Sequence, residues 1–94
     1  MTEPIYHLAT QWAWETARRA GLYAADTLSS EGFIHCSTAD QWPRVREDRF
    51  AGRDDLVLLE IDPTRVQGQL RWEAGFPHLY GALEIEAVVS ARRL

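Results

Sequence analysis

The chain contains no lysine and no asparagine, and it has a single cysteine. Without lysine there is no Schiff-base amine and no phosphate-loop lysine, and without asparagine there is no Cys-His-Asn triad. One cysteine, Cys36, cannot form an internal disulfide, so the core alone has to hold the fold. No apolar run approaches the roughly 20 residues that a membrane helix needs. The N-terminal residues also lack the basic region and apolar core of a secretion signal, so the expectation is a cytoplasmic protein with no membrane partner. Its glycines never assemble into a G-x-G-x-x-G or Walker pattern, and any nucleotide would have to bind without either device.

What the chain does have is a globular composition: 94 residues, 46% hydrophobic, with four tryptophans. That length is expected to make one domain spanning residues 1–94, able to bury about 60 to 65% of its unfolded surface. Ten arginines face fourteen acidic residues, for a net charge of −4, which argues against nucleic acid as a partner. Arg44, Arg46, Arg49 and Arg53 crowd one segment, but Glu47, Asp48, Asp54 and Asp55 interleave with them. This is the pattern of a solvated helix face.

Periodicity gives the elements. Residues 4–9 read as a strand with Ile5, His7 and Ala9 on one face. Thr10 caps a helix over 11–20, with Ala13, Trp14, Ala17 and Ala20 turned inward and Gly21 ending it. Residues 22–31 read as a loop, followed by a strand over 33–37 on which Phe33, His35 and Ser37 face one way. Thr38 and Gln41 form a capping-box pattern opening a second helix that runs to about Phe50, with Trp42, Val45 and Phe50 as core contacts. The run Leu56–Ile61 reads as a central strand covered on both faces. A weaker strand at 70–73, a loop at Gly75-Phe76-Pro77 and a closing strand at 85–91 complete the chain. The class is α+β, two main helices on a mixed or antiparallel sheet, and the β-α-β order at 4–37 offers one parallel pair.

All three histidines lie in apolar-aromatic strings rather than in the charged helical stretches: His7 in Ile5-Tyr6-His7-Leu8, His35 in Gly32-Phe33-Ile34-His35-Cys36, and His78 in Phe76-Pro77-His78-Leu79-Tyr80. Histidine serves as acid, base or hydrogen-bond donor near neutral pH, so one shared site is expected, against the plainer reading of three hydrogen-bonded core histidines. That sharing requires the strands of His7 and His35 to be neighbours with coincident faces, and both are expected. The histidines stand 28 and 43 residues apart, unlike the close local pairs of zinc ligands, so no metal site is expected. His35 and Cys36 project from opposite faces of a strand, which disfavours a Cys-His nucleophile pair and leaves Cys36 a buried thiol. Ser37 shares the face of His35 and, with Thr38 beside it, is a candidate ligand contact as well as a cap. Glu73 is the carboxylate expected nearest the site, although glutamate is more often a surface residue. Trp72 and Tyr80 offer flat faces for a ring, or else rim packing.

The strings Ile5-Tyr6-His7-Leu8-Ala9-Thr10, Glu31-Gly32-Phe33-Ile34-His35-Cys36-Ser37-Thr38, Leu56 to Pro63, Arg71-Trp72-Glu73 and Phe76-Pro77-His78-Leu79-Tyr80-Gly81 resemble the domain of unknown function 952 family of small bacterial proteins, in order and over nearly the whole chain. One departure is a short link between Glu73 and Pro77, where the family often has a longer glycine-rich insert. The family is similar in fold to the ADP-ribosyltransferase superfamily, which implies a split β-sheet holding NAD or an ADP-ribose-like group. The resemblance implies that Tyr6-His7 holds a ribose hydroxyl, that His35 and Ser37 stand beside the nicotinamide half, and that Glu73 or His78 fills the third, catalytic position.

Two readings of function follow. In the first, an ADP-ribosyltransferase-like domain binds NAD or a related ribose-phosphate ligand, with His35, Glu73 and His78 as catalytic candidates and Tyr6, His7, Ser37, Thr38, Trp72 and Tyr80 as ligand contacts. In the second, the chain is a non-catalytic module for a small anionic ligand or a partner protein, with structural histidines.

Overall fold

The structure, a computed structural model, describes residues 3–94. Strand β1 (Ile5–Thr10) ends in the residue that starts the next element: Thr10 stays extended while its Oγ1 accepts from the Ala13 amide at 3.1 Å, capping α1 (Gln11–Ala20). Gly21, at φ 88°, closes that helix as a left-handed cap, its amide donating to the Ala17 carbonyl. Arg18 and Arg19 in the last turn complement the helix dipole. Trp14 and Ala17 are buried as expected, whereas Ala20 is exposed because the helix leaves the core in its last turn.

The segment expected as a loop carries a short strand, β2 (Leu22–Tyr23), and a five-residue helix, α2 (Asp26–Ser30). Local polar bonds build α2 rather than hydrophobic periodicity: Thr27 Oγ1 donates to the Phe33 carbonyl at 2.8 Å, and Gly32 at φ 89° turns the chain out. This extra turn decides the sense of pairing. The chain returns to β1 antiparallel, with Tyr6 and Ser37 exchanging amide-to-carbonyl bonds of 2.7 and 2.8 Å, so the parallel pair expected from the β-α-β order does not form. Strand β3 is only Ile34–His35.

Beyond Ser37, half of the expected capping box forms: Gln41 Oε1 accepts from the Thr38 amide at 2.9 Å, while the Thr38 hydroxyl turns to Asp40. Helix α3 (Trp42–Phe50) has Pro43 in its first turn, and Gly52 follows at φ 81°. None of its residues is fully buried; Trp42, Val45 and Phe50 are half-buried rather than core. The helix lies over the outer face of β1, and its charges pair locally, Arg44 with Asp48 at 3.4 Å.

The apolar run forms β4 (Leu56–Ile61), flanked on both sides by antiparallel partners in the order β1-β4-β8, with β8 spanning Val88–Arg93. Leu56 through Leu59 and Ile61 are all buried, as a strand covered on both faces requires. The expected closing strand starts later than read, because Ile85–Ala87 is a 3-10 turn. A second sheet has the order β3-β6-β5, where β5 is Gln69–Glu73 and β6 is Phe76–Tyr80, and a two-stranded ladder joins β2 to β7 (Leu83–Glu84).

In place of a loop at Gly75-Phe76-Pro77, a tight hairpin connects β5 to β6 through Ala74 and Gly75, both at positive φ (53° and 84°). Two central residues in this conformation match the twist of the flanking strands. The short link between Glu73 and Pro77 is thus a turn. At the other end of β5 the chain passes so close to β6 that a Cβ on Gly68 would stand 2.8 Å from the Tyr80 carbonyl oxygen.

The two larger sheets meet at Ser37 and at a bond from the Cys36 amide to the Pro77 carbonyl, and they enclose one core of Ile5, Trp14, Ile34, Leu59, Ile61 and Leu79 with their neighbours. The radius of gyration, 12.2 Å, matches the roughly 12.4 Å of a compact domain of this length. This is a small α+β domain. Among the described residues no helix is long and apolar enough to cross a membrane.

Candidate functional site

The hairpin register builds a polar face on the second sheet. Pairing sets His35 opposite His78 and His78 opposite Arg71, with Gln69 opposite Tyr80 and Glu73 opposite Phe76. Alternation then turns Pro77 and Leu79 into the core and leaves His78 and Tyr80 on the outer side. Glu73 reaches across that side. Its Oε1 accepts from His78 Nδ1 at 2.7 Å and from the Tyr80 hydroxyl at 2.6 Å.

The same oxygen organises both partners. A carboxylate can only accept, so His78 carries its proton on Nδ1, which leaves Nε2 as a proton acceptor in the neutral ring. The Tyr80 bond, then the His78 bond, hold the Glu73 carboxyl below its ordinary range, and the bond to Glu73 raises the Tyr80 phenol. Phe33 stacks on His78 with centroids 4.1 Å apart and planes 17° from parallel. His35 meets His78 edge-on at 5.3 Å, and its Nε2 is 3.3 Å from Glu31. Arg71 lies over the Tyr80 ring at 5.1 Å. The face is partly open: the His35 and Glu73 side chains are 41% and 42% exposed, His78 only 14%.

His7 is not on this face. It is buried beneath it, where Nδ1 donates to the His35 carbonyl at 2.6 Å and Nε2 accepts from the Tyr23 hydroxyl at 2.8 Å. Both nitrogens are used within the chain, and burial lowers the imidazole to about 4, so it is neutral at physiological pH. The expected trio of histidines is therefore a pair, with the third below it touching His35 only through the backbone. The reason is the split in the sheet: β1 and the 35–37 segment do adjoin, but His7 projects to the core and His35 to the outer side.

The remaining candidates divide the same way. Ser37 is buried, and its backbone donor and acceptor are both spent on Tyr6. Tyr6 projects from the opposite face of β1 into a cavity beside Trp42. Thr38 serves the start of α3. Trp72, 60% exposed, pairs with Pro77 and so lies on the far side of the sheet from His78. Cys36 is a buried free thiol pushed up to about 12 by burial, too poor an acid to act as a nucleophile. Among the described residues no three His, Cys, Asp or Glu side chains are placed to hold a metal ion. Phe33, Arg71 and Glu31 were missed as site residues. For Phe33 and Arg71 the signal was the two-residue spacing in Phe33-x-His35 and Arg71-x-Glu73, the latter legible once the hairpin register is known, whereas Glu31 reaches His35 from the end of α2, four residues away, and has no strand alternation to mark it.

The strands and helices that carry this arrangement coincide with a family match: Protein of unknown function (DUF952), over residues 8–91. The chain belongs to the DUF952 family. This DUF952 domain is similar in structure to protein CC0527 from Caulobacter crescentus, whose crystal structure superposes with a TM-score of 0.88 at 30% identity, covering 97% of this chain and 85% of that one. The solution NMR structure of the same protein gives a TM-score of 0.83, covering 97% and 84%. No curated protein matches this DUF952 chain.

Proposed function

We propose that the outer face of the β3-β6-β5 sheet binds a small ribose-phosphate ligand, NAD or a fragment of it, and that His78 and Glu73 carry its chemistry as in an ADP-ribosyltransferase-like domain. The observation behind this is the double acceptor role of Glu73 Oε1. It fixes the His78 tautomer and leaves Oε2 with no partner among the described residues. A carboxylate oxygen held ionised at an open face is what an oxocarbenium-like centre requires for stabilisation. Nε2 of His78 is the proton acceptor, Arg71 attracts a phosphate, and His35 borders the ligand from the next strand. His7 keeps His35 in place from below rather than touching ribose.

The test is an amide and imidazole NMR titration with NAD, ADP-ribose and inorganic phosphate, on the wild type and on Glu73→Gln and His78→Ala. Saturable shifts at His35, His78 and Arg71 that weaken at least about tenfold in both variants support the reading. A ligand that binds without any turnover moves the weight to a non-catalytic binding module, which the exposure of His35 and Glu73 also suits. Absence of shifts at about millimolar ligand refutes both.

A further inference from the structure

The opposite side of the domain carries a second set of polar groups. On the outer face of β1-β4-β8 the register aligns Tyr6, Glu60 and Ser90 in one row and Leu8, Leu58 and Arg92 in the next. Helix α3 lies over that face, and between them is a cavity of about 170 Å³ lined by Tyr6, Trp42, Leu58, Glu60, Ser90 and Arg92. Leu58 is buried at its floor, Tyr6, Trp42 and Glu60 are half-buried in its walls, and Ser90 and Arg92 are exposed at its rim.

Glu60 and Arg92 sit diagonally across neighbouring strands on this one face, near enough for long side chains to meet. They do not pair. The Arg92 guanidinium stands over the Trp42 ring at 5.9 Å, and neither residue takes part in an ion pair among the described residues. One cavity is thus bordered by an unneutralised cation and an unneutralised anion. An anionic ligand alone would face Glu60, and a cationic one alone would face Arg92. A ligand carrying both charges a few bonds apart satisfies the two together. Size points the same way: at about 30 Å³ per water, the space holds roughly five or six waters. That is well below the roughly 300 Å³ and upward of a drug-sized pocket.

We propose that this cavity binds a small zwitterionic amino acid, its carboxylate on Arg92 with Ser90 beside it and its ammonium on Glu60, with the Tyr6 hydroxyl as a further donor. Burial and the nearby Glu60 keep that phenol protonated. The site shares no side chain with the histidine face, so either can fail alone.

The test is an amide and indole NMR titration with glycine and β-alanine, and with acetate and methylammonium as single-charge probes, each to about 10 mM. The expected result is saturable shifts at Tyr6, Glu60, Ser90, Arg92 and the Trp42 indole with at least one of the two zwitterions. Either single-charge probe should bind at least about tenfold more weakly, and Glu60→Gln and Arg92→Gln should each cut zwitterion affinity by a similar factor. The proposal is overturned if neither zwitterion saturates, if acetate or methylammonium binds as tightly, or if the variants bind like the wild type. The probe comparison needs no variant, so it decides even if a substitution disturbs the fold.

Discussion

The buried His7 makes the stability of this domain depend on pH in a window of its own. In the folded protein the imidazole is enclosed, with Nδ1 on the His35 carbonyl and Nε2 on the Tyr23 hydroxyl, and takes a proton only near pH 4. In the unfolded chain it does so near 6.5. Between those values the unfolded state holds more protons, so folding stability rises with pH across the window. The contribution is complete above about pH 6.5 and is lost as pH falls toward about 4. At about 1.4 kcal/mol per factor of ten in proton affinity, it amounts to about 3 kcal/mol. A small domain has about 5 to 15 kcal/mol in total, so the loss should be visible. Urea unfolding followed by tryptophan fluorescence at several pH values from 7 to 4 should show the midpoint falling steadily in the wild type. His7→Gln should start lower at pH 7, by about 1 to 3 kcal/mol for the disturbed bonds, but decline much less over the window. His35 and His78 remain in both proteins and form a common background. An equal pH slope in His7→Gln, or a His7 ring resonance that titrates near 6.5, would refute the reasoning.

Other consequences concern single positions. Ala74, a non-glycine residue at φ 53°, costs about 1 to 2 kcal/mol in that conformation. Ala74→Gly should therefore raise stability by about 0.5 to 1 kcal/mol after the added freedom of the unfolded chain is subtracted. A rise of several degrees in melting temperature checks it, and a fall contradicts the turn geometry. Gly68→Ala, by placing a methyl against the Tyr80 carbonyl and the Leu79 side chain, should cost about 1 to 3 kcal/mol by thermal or urea unfolding. Thr10→Ala should lose about 1 kcal/mol with the α1 cap, and Thr10→Ser should retain most of it; equal stability of all three proteins would mean the cap contributes nothing.

Local rules decided much of the chain. Thr10, the three- and four-residue spacing of Ala13, Trp14 and Ala17, and Gly21 each act within a turn of the helix they bound, so the ends of α1 were legible to the residue. Leu56–Ile61 announced a doubly covered strand because no polar residue interrupts its first four positions. The elements that were not legible are those whose signals lie elsewhere: α2 rests on the Thr27 hydroxyl donating forward to the Phe33 carbonyl, and the β5-β6 hairpin rests on an alanine accepting positive φ. The half-buried state of Trp42, Val45 and Phe50 depends on how closely α3 approaches β1, which periodicity does not report.

The candidate site shows the same division. That His35, His78, Glu73 and Tyr80 are chemistry-bearing residues set among apolar ones can be read from the sequence alone, as can the absence of a lysine, a disulfide or a nucleotide-binding glycine loop. Which of them meet depends on a strand register and on a split between sheets, both of which arise from long-range backbone pairing. A shift of one residue would exchange the two faces of β6 and bury His78 in place of Leu79. Tertiary structure alone therefore separated His7 from the other two histidines and joined Arg71 to them. It also carried Tyr6 to the far side of the domain.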